Sequence, residues 1–263
     1  MMQRLWLIGL LGWFSLVPAW AQSSPGMLQD LVLPEGTQAP YPAVMLLHGC
    51  NGIEPNVPAW QRVLRDRGYA SVVVDSFRRR GFSEICTNLS RLPVHERVND
   101  AYKALTELAG RTDIDPQRVV VMGFSHGAVT TLSALTNVVA AQIPKAHVRF
   151  RAGIAVYPEC GVFSYALFVQ PVLVLIGEQD DWTPAAPCID LAKKFAGKQP
   201  SFETIVYPKA HHGFDIPGLS YRYLSNATNL NKRSGLGATA EGNDQARTQA
   251  MADALAFLDR TLR

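Results

Sequence analysis

Several features that would commit a chain to a special class are missing from this sequence. No internal repeat or low-complexity tract is present, which argues against solenoids and arrays. Charge of one sign is also lacking. The formal net charge is only +3 and the basic residues are scattered, so no nucleic-acid partner is expected; the cluster Arg78, Arg79, Arg80 is too short to change that. Cysteine is scarce, at four residues, and none falls in a C-x-x-C pair. The histidines His48, His126, His211 and His212 show no H-E-x-x-H or comparable ligand spacing, so neither a metal nor any other cofactor is expected. Beyond the first two dozen residues no apolar run is long enough to span a bilayer, so the mature chain is expected to be soluble, without stable membrane association.

What is present is ample core-forming material: 263 residues with 48% hydrophobic content, enough for one large domain with a well-buried interior. The opening segment MMQRLWLIGLLGWFSLVPAWAQSS has a basic start at Arg4, an apolar run from Leu5 to Val17, and Ala19 and Ala21 in an A-x-A pattern. It reads as a secretory leader cut after Ala21; the rival, an uncleaved anchor, is disfavoured because the run falls short of the roughly 20 residues a span needs. Export, to a periplasm or beyond the cell, gives Cys50, Cys86, Cys160 and Cys188 a meaning. An even set in an oxidising compartment favours two disulfides over four buried thiols, with the pairing left open.

The body alternates two patterns. Strand-like runs lie at Leu28 to Leu33, Ala43 to Leu47, Ala70 to Asp75, Val119 to Phe124, Ala152 to Tyr157, Val172 to Ile176 and Phe202 to Tyr207. Helical patterns lie at about Pro58 to Arg67, Val94 to Ala109, His126 to Ala140, Pro187 to Ala196 and Asn243 to Leu262. Strands this apolar, interleaved with helices, call for an α/β fold with a mostly parallel sheet covered on both faces. Ligand sites in such sheets form at the carboxyl ends of the strands.

One of those ends reads VVVMGFSHGAVTTL. A serine before a helix is ordinarily an N-cap, a role that needs one oxygen and no glycines. Here Gly123 and Gly127 flank Ser125 at i−2 and i+2, where side chains would collide if the serine sat in a strained strand-to-helix bend with its hydroxyl raised. A hydroxyl becomes a useful nucleophile only when a base takes its proton and a third group orients that base. Downstream, VLVLIGEQDDWTP offers Asp180 and Asp181, and YPKAHHGFD offers His211 and His212, in the order Ser, Asp, His.

Taken together, LLHGCNG, GFSHG, GEQDDWTP and HHGF resemble the α/β-hydrolase superfamily, specifically its dienelactone hydrolase-like branch, over nearly all of the chain after the leader. The resemblance implies one α/β-hydrolase domain over residues 22–263, and it carries one departure: the dienelactone hydrolases proper use cysteine as nucleophile, whereas this chain has Ser125. The G-x-x-D spacing from Gly177 selects Asp180, leaving Asp181 as a loop or cap carboxylate; the His-Gly-Phe pattern selects His212, leaving His211 as its neighbour. Two backbone N–H groups should face the developing oxyanion, from His126 after the nucleophile and from Cys50 in HGCNG.

Trp182 is a candidate pocket wall and Arg80 a candidate grip on a substrate carboxylate, each balanced by a bland reading as core and as solvated turn. The short segment between Tyr157 and Pro171 leaves no room for a helical lid, which implies a small, open site. The polar stretch Asp215 to Gly242 reads as one long irregular run. The expectation is an exported serine hydrolase acting on a small carboxylic ester or lactone. Its rivals are a peptidase of the same fold, which no preceding gating domain supports, and a binding protein on a retired hydrolase scaffold.

Overall fold

β-branched runs without alternation cannot leave a face in water, and here they form the middle of a sheet. The computed structural model describes residues 28–144 and 147–262. The leader expected at residues 1–21 lies outside the described residues. The strands are β1 (Leu28–Val32), β2 (Tyr41–Leu47), β3 (Ala70–Val74), β4 (Ile114–Phe124), β5 (Ala152–Val156), β6 (Val172–Gly177) and β7 (Phe202–Tyr207). They pair in the order β1-β3-β2-β4-β5-β6-β7, with only β1 antiparallel. Every residue of β3, β5 and β6 is buried, as is β2 from Ala43 onward. This is the α/β-hydrolase arrangement.

The helices are α1 (Asn56–Asp66), α2 (Val94–Ala109), α3 (His126–Ala134), α4 (Asn137–Gln142), α5 (Ala185–Phe195) and α6 (Asp244–Leu262). α1 packs with α6, and α2 packs with α3 against β4. The register aligns the strand ends: Leu47 lies beside both Val74 and Gly123, and Phe124 beside Val156. The loops that follow β2, β4, β6 and β7 therefore open on one edge.

Two expectations need correction. The helix drawn from His126 to Ala140 is two helices, because the Thr136 side chain accepts the Val139 N–H and starts α4 afresh. The run from Asp215 to Gly242, read as irregular, contains an antiparallel hairpin, β8 (Arg222–Thr228) and β9 (Leu236–Ala240). β8 is mostly polar and exposed and β9 (LGATA) is short and built of small residues, so no apolar alternation announces the hairpin. Asn229 closes it instead, with its side-chain amide donating to the Gly237 and Asp181 carbonyls. All four cysteines pair, Cys50 with Cys86 and Cys160 with Cys188. Among the described residues, no helix is long and apolar enough to cross a membrane.

Candidate active site

The turn after β4 answers the question Ser125 raises. Its side chain makes no capping bond to α3; its backbone carbonyl starts the helix instead, accepting from Ala128 and Val129. The residue sits at φ 52°, a region costly for any residue with a side chain, and the surrounding packing enforces it. A Cβ at Gly123 would lie 2.1 Å from the Gly127 carbonyl oxygen, and one at Gly127 would lie 2.1 Å from that of Leu47. Only glycine lets β4, α3 and the end of β2 approach so closely.

The hydroxyl so raised stands 3.0 Å from Nε2 of His212. His212 Nδ1 in turn lies 2.8 Å from Oδ2 of Asp180. The loops that carry Asp180 and His212 are pressed together at Gly177, where a Cβ would lie 2.2 Å from the Ala210 carbonyl oxygen. Asp180 is fixed as an acceptor: the Trp182 and Thr183 N–H groups donate to its Oδ1 at 2.9 and 2.8 Å, and the Thr183 hydroxyl donates to Oδ2 at 2.9 Å. Both Asp180 and His212 are buried.

Their neighbours in sequence point elsewhere. Asp181 accepts from Lys232 at 2.8 Å and from the Thr239 N–H at 2.7 Å, so it fastens the β8–β9 hairpin rather than capping a helix. Burial opposes its charge, but these donors outweigh burial and hold its carboxyl below the usual range. His211 turns toward Glu241 and the edge of Tyr221.

The loop after β2 brings Cys50 beside the serine, since a Cβ on Gly49 would touch Ser125 Cβ at 3.6 Å. Among the described residues, the backbone N–H groups of Cys50 and His126 donate to no protein acceptor. A residue that sequence reasoning missed ties these two segments together. Arg97 of α2 is fully buried, donates to the His48 carbonyl at 2.7 Å, and lies 3.0 Å from His126 Nδ1. Because a guanidinium only donates, His126 Nδ1 accepts and that ring is neutral.

Burial first, and then the Arg97 charge, lowers the pKa of both His48 and His126 to about 3. Between pH 6.5 and about 3 the unfolded chain therefore binds protons at these two rings that the folded chain refuses. Stability is complete above that window and falls as pH drops through it, by up to about 1.4 kcal/mol per pH unit for each ring. Urea unfolding at pH 7, 5.5 and 4.5 should show a slope shallower by about that amount in His126→Asn than in the wild type. An unchanged slope would remove His126 from the account.

A second buried group lies behind His212. Asp215 accepts from Tyr157 at 2.6 Å, Trp60 at 2.8 Å and Asn56 at 3.1 Å, and the Tyr157 ring packs on the His212 imidazole. Burial pushes the Asp215 carboxyl up, against the pull of those three donors. Trp182 packs on His212 with ring centroids 4.6 Å apart, and its Nε1 donates to the Thr228 carbonyl. Arg80, expected near substrate, does not reach the cleft. Its turn folds outward onto α2, where the guanidinium donates to Asp100 at 2.6 Å and to Glu96 at 3.3 Å.

The site expected to be small is a cleft with two lobes, because the β8–β9 hairpin and the loop before α2 wall it in. A lobe of about 510 Å³ is lined by Glu54, Asn56, Tyr157, His212, Ile216 and Arg222. A lobe of about 770 Å³ is lined by Leu89, Val94, Val129, Val162, Phe163 and Leu230. Cys50, Ser125 and Trp182 border both. Among the described residues, no cluster of three or more His, Cys, Asp or Glu is arranged to hold a metal.

The sequence profile of the dienelactone hydrolase family matches residues 30–260. The chain belongs to the dienelactone hydrolase family. It is accordingly a hydrolase of ester bonds. Within that family setting, it is similar to a protein of Methylorubrum extorquens named as a candidate carboxymethylenebutenolidase, with 28% identity over 71% of this chain and 69% of that one. Among solved structures it is similar to a candidate dienelactone hydrolase from Klebsiella pneumoniae, with 18% identity, TM-score 0.63, and coverage of 87% of this chain and 90% of that one. It is also similar to a thermophilic esterase from Thermogutta terrifontis in a propionate-bound form, with 15% identity, TM-score 0.60, and coverage of 88% of each chain. At these identities the structural likeness concerns the fold.

Proposed function

We propose that this family member is an exported serine hydrolase that cleaves a carboxylic ester or lactone through an acyl-enzyme. The observation that carries the reading is the continuous hydrogen-bonded chain from Ser125 through His212 to Asp180, built on a strained turn. Asp180 holds the proton of His212 on Nδ1 and leaves Nε2 free to take the serine proton. The Ser125 oxygen then attacks the ester carbonyl, whose electron pair moves onto oxygen, where the Cys50 and His126 N–H groups receive it. Collapse of the intermediate breaks the bond to the alcohol oxygen, which takes the proton from His212 Nε2. Water, deprotonated by the same nitrogen, attacks the acyl-enzyme and releases the acid and the serine. In a lactone the alcohol stays attached to the acid product.

The two disulfides support export, since such bonds persist in oxidising compartments. One of them bears on catalysis. Cys50, the proposed oxyanion donor, is tied through sulfur to Cys86, and its carbonyl accepts the Ile85 N–H at 2.8 Å. Loss of an oxyanion donor costs on the order of a hundredfold or more in kcat. Cys50→Ala/Cys86→Ala keeps that N–H but frees the loop that aims it, so a folded variant should lose kcat by more than about tenfold and up to that order, and Cys160→Ala/Cys188→Ala should lose less than about tenfold. Equal losses in both, by steady-state kinetics, would contradict the assignment.

The reading itself is tested by turnover of small esters and lactones alongside peptide substrates of matched size. Ester or lactone cleavage without peptide cleavage is the expected outcome; peptide cleavage alone, or none at all, would overturn it.

A further inference from the structure

The two lobes of the cleft differ in which group of the proposed site lines them. His212 and the following Gly213 face the smaller lobe. The larger lobe does not include His212; it is bordered instead by His126, Val129 and Ser133 of α3. That difference assigns the two halves of an ester. The leaving oxygen must come within about 2.6 to 3.2 Å of His212 Nε2 to receive its proton, so the alcohol portion continues into the lobe that His212 lines. The acyl substituent leaves the carbonyl carbon on the other side and enters the larger lobe.

Resting on the Ser125 and His212 reading, the geometry points to an acyclic ester of an apolar acid and a polar alcohol as the substrate class. The acyl lobe is walled by Leu89, Val94, Val129, Phe163 and, at its mouth, Val162 and Leu230. The last two are 60% and 67% exposed, apolar surface that a bound alkyl or aryl acyl group would cover. The alcohol lobe carries opposite charges, with Arg222 4.0 Å from Glu54, together with Asn51, Ser225 and Asn226. Beside the apolar Ile216, Leu219 and Leu224, this lining offers hydroxyl groups both donors and acceptors, a more polar wall than the acyl lobe presents. Cys50, Thr87, Ser125 and Trp182 border both lobes, so the two meet at the serine. An unsubstituted lactone ties its acyl and alcohol portions into one compact ring that leaves most of both lobes unfilled, which places open-chain esters ahead of simple lactones.

The test holds one half of the ester constant and varies the other. Among 4-nitrophenyl acetate, butyrate, hexanoate and octanoate, kcat/KM should rise by about fourfold per methylene, the transfer gain of one buried CH₂. Among butyrates followed by proton release, a glyceryl ester should outperform a hexyl ester. Val129→Trp, which fills the acyl lobe, should lower the octanoate-to-acetate ratio of kcat/KM at least tenfold. Leu230→Lys, at an exposed position that tolerates change, should lower the same ratio should Val129→Trp fail to fold. A flat or falling acyl series with acetate still turned over overturns the lobe assignment and leaves the Ser125 reading standing. A gain that follows the alkyl alcohols instead shows the lobes reversed. No turnover of any ester, together with no phosphonate adduct on Ser125, overturns both.

Discussion

Replacing His212 by alanine is expected to lower kcat on the order of a million-fold, with KM changing little. The nucleophile and its base act as one unit, so removing either costs nearly as much as removing both, and the remainder comes from substrate binding and the oxyanion donors. His212 stands 3.0 Å from Ser125 Oγ and 2.8 Å from Asp180, a position no other imidazole shares among the described residues. His211, whose Nε2 lies 3.8 Å from Glu241, makes the comparison sharp. His211→Ala should keep activity within about tenfold of wild type, since its ring orients no proton toward the serine. Steady-state kinetics of the two variants, with circular dichroism to show both folded, separates them. Comparable losses would mean that the base has been misplaced by one residue.

The second large effect concerns the paired carboxylates. Asp180→Asn should lower kcat on the order of ten-thousandfold, because an amide at that position favours the wrong imidazole tautomer while preserving shape. Asp181→Asn removes the partner of Lys232 and weakens acceptance from Thr239, which loosens the hairpin. Its loss should fall on KM and on stability rather than on the chemical step, with Tm reduced and kcat within about tenfold. The opposite ranking, with both variants folded, would put the acid one residue later.

Much of this was legible in the sequence because it rests on short-range requirements. Apolar runs such as Val119 to Met122 identify central strands by composition alone, and the carboxyl-edge rule then gathers the loops after β2, β4, β6 and β7. Gly123, Gly127 and Gly177 mark close backbone approaches, so their spacing carried information about Ser125 and Asp180. What escaped depends on distant partners. The hairpin of β8 and β9 is held by Asn229 and by Asp181 reaching across from another loop, and a mostly polar β8 beside a short, small-residue β9 gives no periodic signal. Its walls are what turn a small site into a two-lobed one.

Arg97 left a trace that went unread. A charged residue in the stripe of Val94, Val98, Ala101, Leu105 and Leu108 is out of place on a buried helix face, and its burial against His48 and His126 explains it. Arg80 shows the converse. It follows a strand end, as a substrate-binding arginine would, yet Asp100 and Glu96 on α2 claim it, a pairing between segments that spacing along the chain does not encode. Asp215 was visible in HHGFD but its donors, Trp60, Asn56 and Tyr157, come from two separate elements.

The claim on which the rest depends is that the Ser125 oxygen becomes covalently bonded during turnover. Intact-mass measurement after treatment with a fluorophosphonate tests it most directly, because an activated serine oxygen attacks the phosphorus, forms an O–P bond and expels fluoride. The account predicts a single adduct on the wild type, mapped to the peptide containing Ser125, and none on a folded Ser125→Ala variant. An adduct of the same mass on Ser125→Ala, or an unlabelled wild type that still hydrolyses esters, would contradict it.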